Sequence, residues 1–153
     1  MARLGRSWRS FRALSWAQRR LLARAWLLLP LTALGLRLFG FRRVQALLLR
    51  PAAGTPARDD LPAAQAVARI VQGAARWSPV PASCLVRSLV LCRLLRRQGL
   101  TADLRIGVAV PDGRLAAHAW VEHGGVALND IQDVARRFAA FDRALLSEGA
   151  DVS

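Results

Sequence analysis

Apolar residues recur at three- and four-residue spacing over residues 8–29, with Leu14, Leu21, Leu22, Ala25 and Leu28 on one side and arginines between them. That period predicts a helix. Pro30 is expected to end or kink it, and residues 31–49 to form a second helix weakened at Gly35 and Gly40. The stretch RPAAGTPARDDLP (50–62) reads as a connector. Asp60 is a suitable N-cap for a helix over 61–76, with Leu61, Ala64, Val67, Ala68 and Val71 on its apolar side. After the irregular RWSPVPAS, Ser83 can cap a helix running from Cys84 to Gln98, with Gly99 as its stop. Its segment LVLCRLL is apolar nearly all round, so the helix is expected at the centre of the fold.

Beyond Gly99 the period changes to two. ADLRIGVAV places Ala102, Leu104, Ile106, Val108 and Val110 on one strand face. PDGR is a turn, LAAHAWVE a second strand, HGG a second turn and VALND a third strand. IQDVARRFAAFDRALL is expected to be a short helical tail. The fold class is therefore α+β: a central helix on a small antiparallel sheet. It divides into a basic helical segment (1–60) and a core (61–153).

Charge sharpens that division. Residues 1–50 carry eleven arginines and no acidic residue, and the chain has no lysine at all. Residues 51–153 are nearly balanced, with twelve arginines against ten acids. The basic third reads as a docking surface for an acidic partner, with Arg19, Arg20 and Arg24 as candidate contacts. The uncharged run AWLLLPLTALGL (25–36) is shorter than a bilayer span and is followed by RLFGFRR rather than a cleavage site. It is read as buried helix in a cytoplasmic protein, with peripheral membrane contact as the other use of a basic, apolar, Trp-bearing segment.

The chain holds two cysteines, Cys84 and Cys92. Eight residues apart on one helix, they are separated by about 12 Å along the axis. That is too far for a disulfide or for a shared metal, so no metal or other cofactor is expected. Cys92, mid-helix among leucines, reads as a small buried hydrophobe. Cys84 opens the helix, where the dipole and the first N–H groups favour a thiolate.

A nucleophilic thiol needs a base. His123 lies in the EHGG turn and is expected to be exposed. His118 lies within the second strand, facing the same way as Trp120. With HGG as a three-residue loop, Glu122 pairs with Val126 and His118 stands opposite Asp130, close enough to hold the imidazole in one tautomer. The other hairpin, with residues 110 and 115 paired, sets Gly107 across from His118. Thiol at a helix start, strand histidine and neighbouring aspartate follow the order of Cys-His-Asp enzymes of papain and transglutaminase type. The backbone N–H of Cys84 is the first candidate oxyanion donor, with Ser83 and Trp77 as candidates for a second and Trp120 as a candidate cleft wall.

The segment CLVRSLVLCRLLRRQGLTADLRIGVAV…LAAHAWVEHGGVALND resembles the transglutaminase-like core of lasso-peptide leader peptidases, over residues 77 to about 141. The resemblance implies cleavage of the leader from a ribosomally made precursor peptide, whose core a partner asparagine-synthetase-like cyclase then closes into a macrolactam. Carried over by position, Cys84 is the nucleophile, His118 the base and later acid, and Asp130 the residue that orients the imidazole. Many members carry a PqqD-like leader-recognition domain ahead of the peptidase. The Arg-rich helices found here instead imply a separate recognition protein as partner. Two other readings stay open: acyl transfer to an amine by the same triad, and a non-catalytic basic module for membrane or nucleic acid. Nucleic acid is not expected, because neither a recognition motif nor a tyrosine for base stacking is present.

Overall fold

The computed structural model describes residues 15–49, 58–110, 114–130 and 139–140. Three helices, α1 (Trp16–Leu48), α2 (Leu61–Arg76) and α3 (Cys84–Arg97), precede strands β1 (Asp103–Ala109), β2 (Ala116–His123), β3 (Val126–Ala127) and β4 (Ala139–Ala140). The strands form one antiparallel sheet in the order β3-β2-β1-β4. This is the expected α+β class.

α1 begins at Ser15 with a capping box: the Ser15 hydroxyl accepts from Gln18 N–H, and the Gln18 side chain accepts from Ser15 N–H. The earlier part of the first predicted helix, residues 8–14, lies outside the described residues. Pro30 does not break the helix. The break falls ten residues later, at Gly40, whose φ of 76° only glycine adopts cheaply. A proline removes one hydrogen bond and leaves φ helical, whereas a left-handed residue redirects the chain.

α2 and α3 match their expected spans. The Asp60 side chain accepts from Ala63 N–H, and the Ser83 hydroxyl accepts from Val86 N–H. Ala64, Val67, Ala68 and Val71 of α2 pack with Val90, Leu91, Leu94 and Leu95 of α3 in one core, together with Val121 of β2. Ala25 and Leu29 of α1 belong to that same core, so residue 60 is not a break in packing. Each fully buried leucine stabilises the fold by about 1.5–3 kcal/mol. Arg93 and Arg96 leave the end of their own helix and donate to the terminal carbonyls of α1 at Leu48 and Leu49 (3.3 and 2.8 Å).

The β1–β2 register sets Gly107 against His118, as expected. The second hairpin differs from expectation. Gly124 and Gly125 both have positive φ (55° and 80°) and close a two-residue turn, so His123 pairs with Val126 and Glu122 with Ala127. Two successive left-handed residues twist the turn to match the strands, which makes this loop preferred over a three-residue one. The third strand is accordingly short, and residues 128–130 bend away. Within the tail predicted to be helical, Ala139 and Ala140 instead pair with Val108 and Gly107 on the open edge of β1, whose backbone groups need partners. The rest of that tail, like the turn at 111–113, lies outside the described residues.

Candidate active site

α3 lies on the sheet face made by Ala119, Val121 and Leu104, and a buried polar link fixes the contact. The Ser88 hydroxyl, fully buried, donates to the Ala119 carbonyl (2.9 Å) and accepts from Asn129 Nδ2 (2.8 Å). Asn129 Oδ1 in turn accepts from Val121 N–H (2.8 Å), and Leu128 N–H donates to the Val121 carbonyl (2.9 Å). The Asn129 side chain thus takes a ladder position that a backbone carbonyl would fill, and the chain peels off the sheet there.

Each partner in this link neighbours a residue singled out from the sequence. Cys84 lies one turn before Ser88 on the same side of α3. His118 precedes Ala119, and Asp130 follows Asn129. Ser88 and Asn129 were missed by sequence reasoning. Their signal was a serine just before the apolar run LVLCRLL of a helix expected at the centre of the fold, which must find a partner when buried.

His118 Nε2 hydrogen-bonds Asp130 Oδ2, with both side chains about three-quarters buried. The expected pairing of His118 with Asp130 is therefore present, reached by a different route: the register is shifted by one, and the bend at 128–130 restores the contact. The aspartate on Nε2 orients the ring. The ring stacks against Trp120 at 6.3 Å between centroids and 18° between planes. Trp120 is fully buried, and its indole N–H donates to Glu122 (2.9 Å), which also receives Arg105 (3.0 Å). Trp120 therefore acts as a buried support for the imidazole rather than as an open cleft wall.

Cys84 is partly exposed at the start of α3, whereas Cys92 is fully buried. Burial pushes the Cys92 thiol up from 9.0 to about 11, against the opposing pull of Arg96, and its S–H points at the Ala102 carbonyl (3.6 Å). Cys92 is packing, as expected. With Val86 N–H taken by the Ser83 cap, the N–H groups of Cys84 and Leu85 carry the positive end of the helix. Ser83 serves as that cap. Trp77 is exposed, and its carbonyl accepts from the Trp26 indole (3.0 Å), tying the loop before α3 to α1. Arg19, Arg20 and Arg24 lie exposed on α1, away from the core.

His123 overturns the expectation of an exposed turn residue. The two-residue turn draws it into β2, where it is 1% exposed. Its Nδ1–H donates to the Thr101 carbonyl (2.7 Å), and Nε2 stands 2.8 Å from Asp59 Oδ1 but out of line for a hydrogen bond. No group of three or more metal-ligating side chains occurs among the described residues.

A family model described as the Transglutaminase-like superfamily matches residues 25–142. No curated protein and no solved structure matches the chain.

Proposed function

We propose that this chain, which belongs to the transglutaminase-like superfamily of Cys-His-Asp enzymes, is a thiol peptidase that removes the leader from a ribosomally made lasso-peptide precursor. The observation that carries the catalytic part is the His118–Asp130 hydrogen bond, formed on the strand to which Ser88 ties the Cys84 helix. The lasso-precursor part rests on the resemblance of residues 77 to about 141.

In this reading Nδ1 of His118 takes the thiol proton of Cys84, and Asp130 stabilises the resulting imidazolium through Nε2–H. The thiolate attacks the last leader carbonyl. The oxyanion that forms is met by the Cys84 N–H at the helix start. The imidazolium then protonates the leaving amine of the core peptide, leaving a thioester on Cys84. Water, deprotonated by His118, releases the leader as a carboxylic acid and restores the thiol. The partners in this reading are the precursor, a separate PqqD-like recognition protein and the asparagine-synthetase-like cyclase, all cytoplasmic. Transfer of the acyl group to an amine would diverge only after the thioester, so product masses distinguish it.

The test is mass spectrometry of a lasso-type precursor incubated with wild type or Cys84→Ala, with and without the recognition protein. The expected result is cleavage to leader acid and free core amine by wild type alone, enhanced by the recognition protein. Cleavage by both variants would remove Cys84 from the chemistry. An amine adduct in place of the acid would make the enzyme an acyltransferase.

A further inference from the structure

Residues 25–36 of α1 carry no charge, and a helix apolar all round is ordinarily covered all round. This one is covered on a single side. Ala25, Leu29 and Thr32 are buried, with α2 and α3 behind them. At about 100° per residue, Leu27, Leu31, Leu34 and Leu38 form one row diametrically opposite that buried side. Their exposures are 55, 62, 52 and 65%, and Phe39 (59%) and Trp26 (42%) widen the band.

The charge around this band has one sign. Arg20 and Arg24 continue the leucine row toward the N-terminus, and Arg19 and Arg37 flank it. Not one acidic residue occurs in residues 1–50. We propose that this face docks on an anionic lipid bilayer, with α1 lying in the headgroup plane, its leucines in the acyl boundary and its arginines among the phosphates.

Three observations select this occupant. The exposed apolar band spans roughly half the helix circumference, wider than the seam a single partner helix covers. A second copy of the chain would set arginine against arginine. Trp16 and Trp26, exposed near the end of the band, suit the interface between headgroup and acyl chain. By length and composition α1 could cross a bilayer, but its back is held by α2 and α3, which leaves it to lie along the surface. This inference rests on α1 alone and is independent of the peptidase reading.

The experiment is co-sedimentation of the full chain with phosphatidylglycerol-containing vesicles and with pure phosphatidylcholine vesicles, at low and high salt. Binding is expected to the anionic vesicles only, and to fall at least about tenfold at high salt. Leu31→Gln/Leu34→Gln changes only exposed positions, so its melting should match wild type while its binding falls about tenfold or more. Failure of wild type to bind anionic vesicles at low salt would overturn the proposal. So would undiminished binding by the double variant, which would mean charge alone. If the wild type instead self-associates, the double variant is monomeric and neither sediments with vesicles, the face joins copies of the chain and the proposal falls.

Discussion

The strand β2 carries two histidines, each set beside an aspartate, and the two pairs differ in everything except that pairing. His118 is about three-quarters buried, hydrogen-bonded through Nε2 to Asp130 and supported by Trp120. His123 is fully buried and committed through Nδ1 to a backbone carbonyl, and its aspartate is 75% exposed and out of line. In the first pair the carboxylate orients a ring that keeps access to solvent. In the second, the ring is held to Thr101 beneath the segment 58–60, which the backbone bonds Arg58 N–H to Gly99 and Thr101 N–H to Arg58 fasten to the chain after α3. Proximity of histidine to aspartate thus does not define a catalytic dyad. Accessibility separates the two: the His118 ring is about a quarter exposed, and the His123 ring is fully buried.

The contrast can be broken most sharply by alanine. His118→Ala should lower kcat/KM for precursor cleavage by about 10³–10⁴-fold while shifting Tm little. His123→Ala should do the reverse, costing about 2–4 kcal/mol of stability and leaving activity per folded molecule within a few-fold. Kinetics paired with thermal melting of both variants measures this, and loss of activity in folded His123→Ala would invert the assignment. The aspartates give a smaller version. Asp130→Asn should reduce kcat by about 10²–10⁴-fold through the wrong tautomer. Asp59→Asn, at a mostly exposed site, should change stability by less than about 0.5 kcal/mol.

Next in size is the link that aligns the first pair. Ser88→Ala strands the Asn129 amide, and Asn129→Ala strands Val121 N–H. Each should cost about 1–3 kcal/mol. A double-mutant cycle on kcat should show coupling between them, since both act through the same contact; additive effects would mean that they only stabilise. The last effect leaves the site untouched and concerns the second cysteine. Lysine and tyrosine are absent, so neither obscures the Cys92 thiol between pH 9 and 11. The unfolded Cys92 thiol ionises near 9.0, and the folded one keeps its proton to about 11. Unfolding therefore releases a proton in this window. The contribution of Cys92 is complete below pH 9 and should decline by roughly 3 kcal/mol as pH rises to 11. Denaturant titrations across that range should show the slope, and Cys92→Val should flatten it.

Much of this site was legible in the chain. The caps at Asp60 and Ser83, the stop at Gly99 and the change of period after it place Cys84 at a helix start and His118 on a strand. Gly107 stands across from His118 because a hairpin fixes its register over a few residues. The Gly-Gly pair was also legible as a two-residue turn, and reading it so would have moved His123 into the strand. The capping box at Ser15 carries its own signature in the same way.

These features were determined by the sequence alone because capping, periodicity and turn chemistry act between residues at most a few positions apart. Tertiary structure decided the rest. Asp130 reaches His118 only because Asn129 spends its side chain on Val121 and Ser88, a contact that spans 41 residues. His123 is buried because Thr101 and the segment before α2 close over it. β4 pairs where β1 left an edge open, and α1 stays helical through Pro30 as far as Gly40 with α2 and α3 packed on it. Burial is a property of the assembled molecule: it turns a polar side chain into an obligation to find a partner, and only the fold determines which partner is within reach.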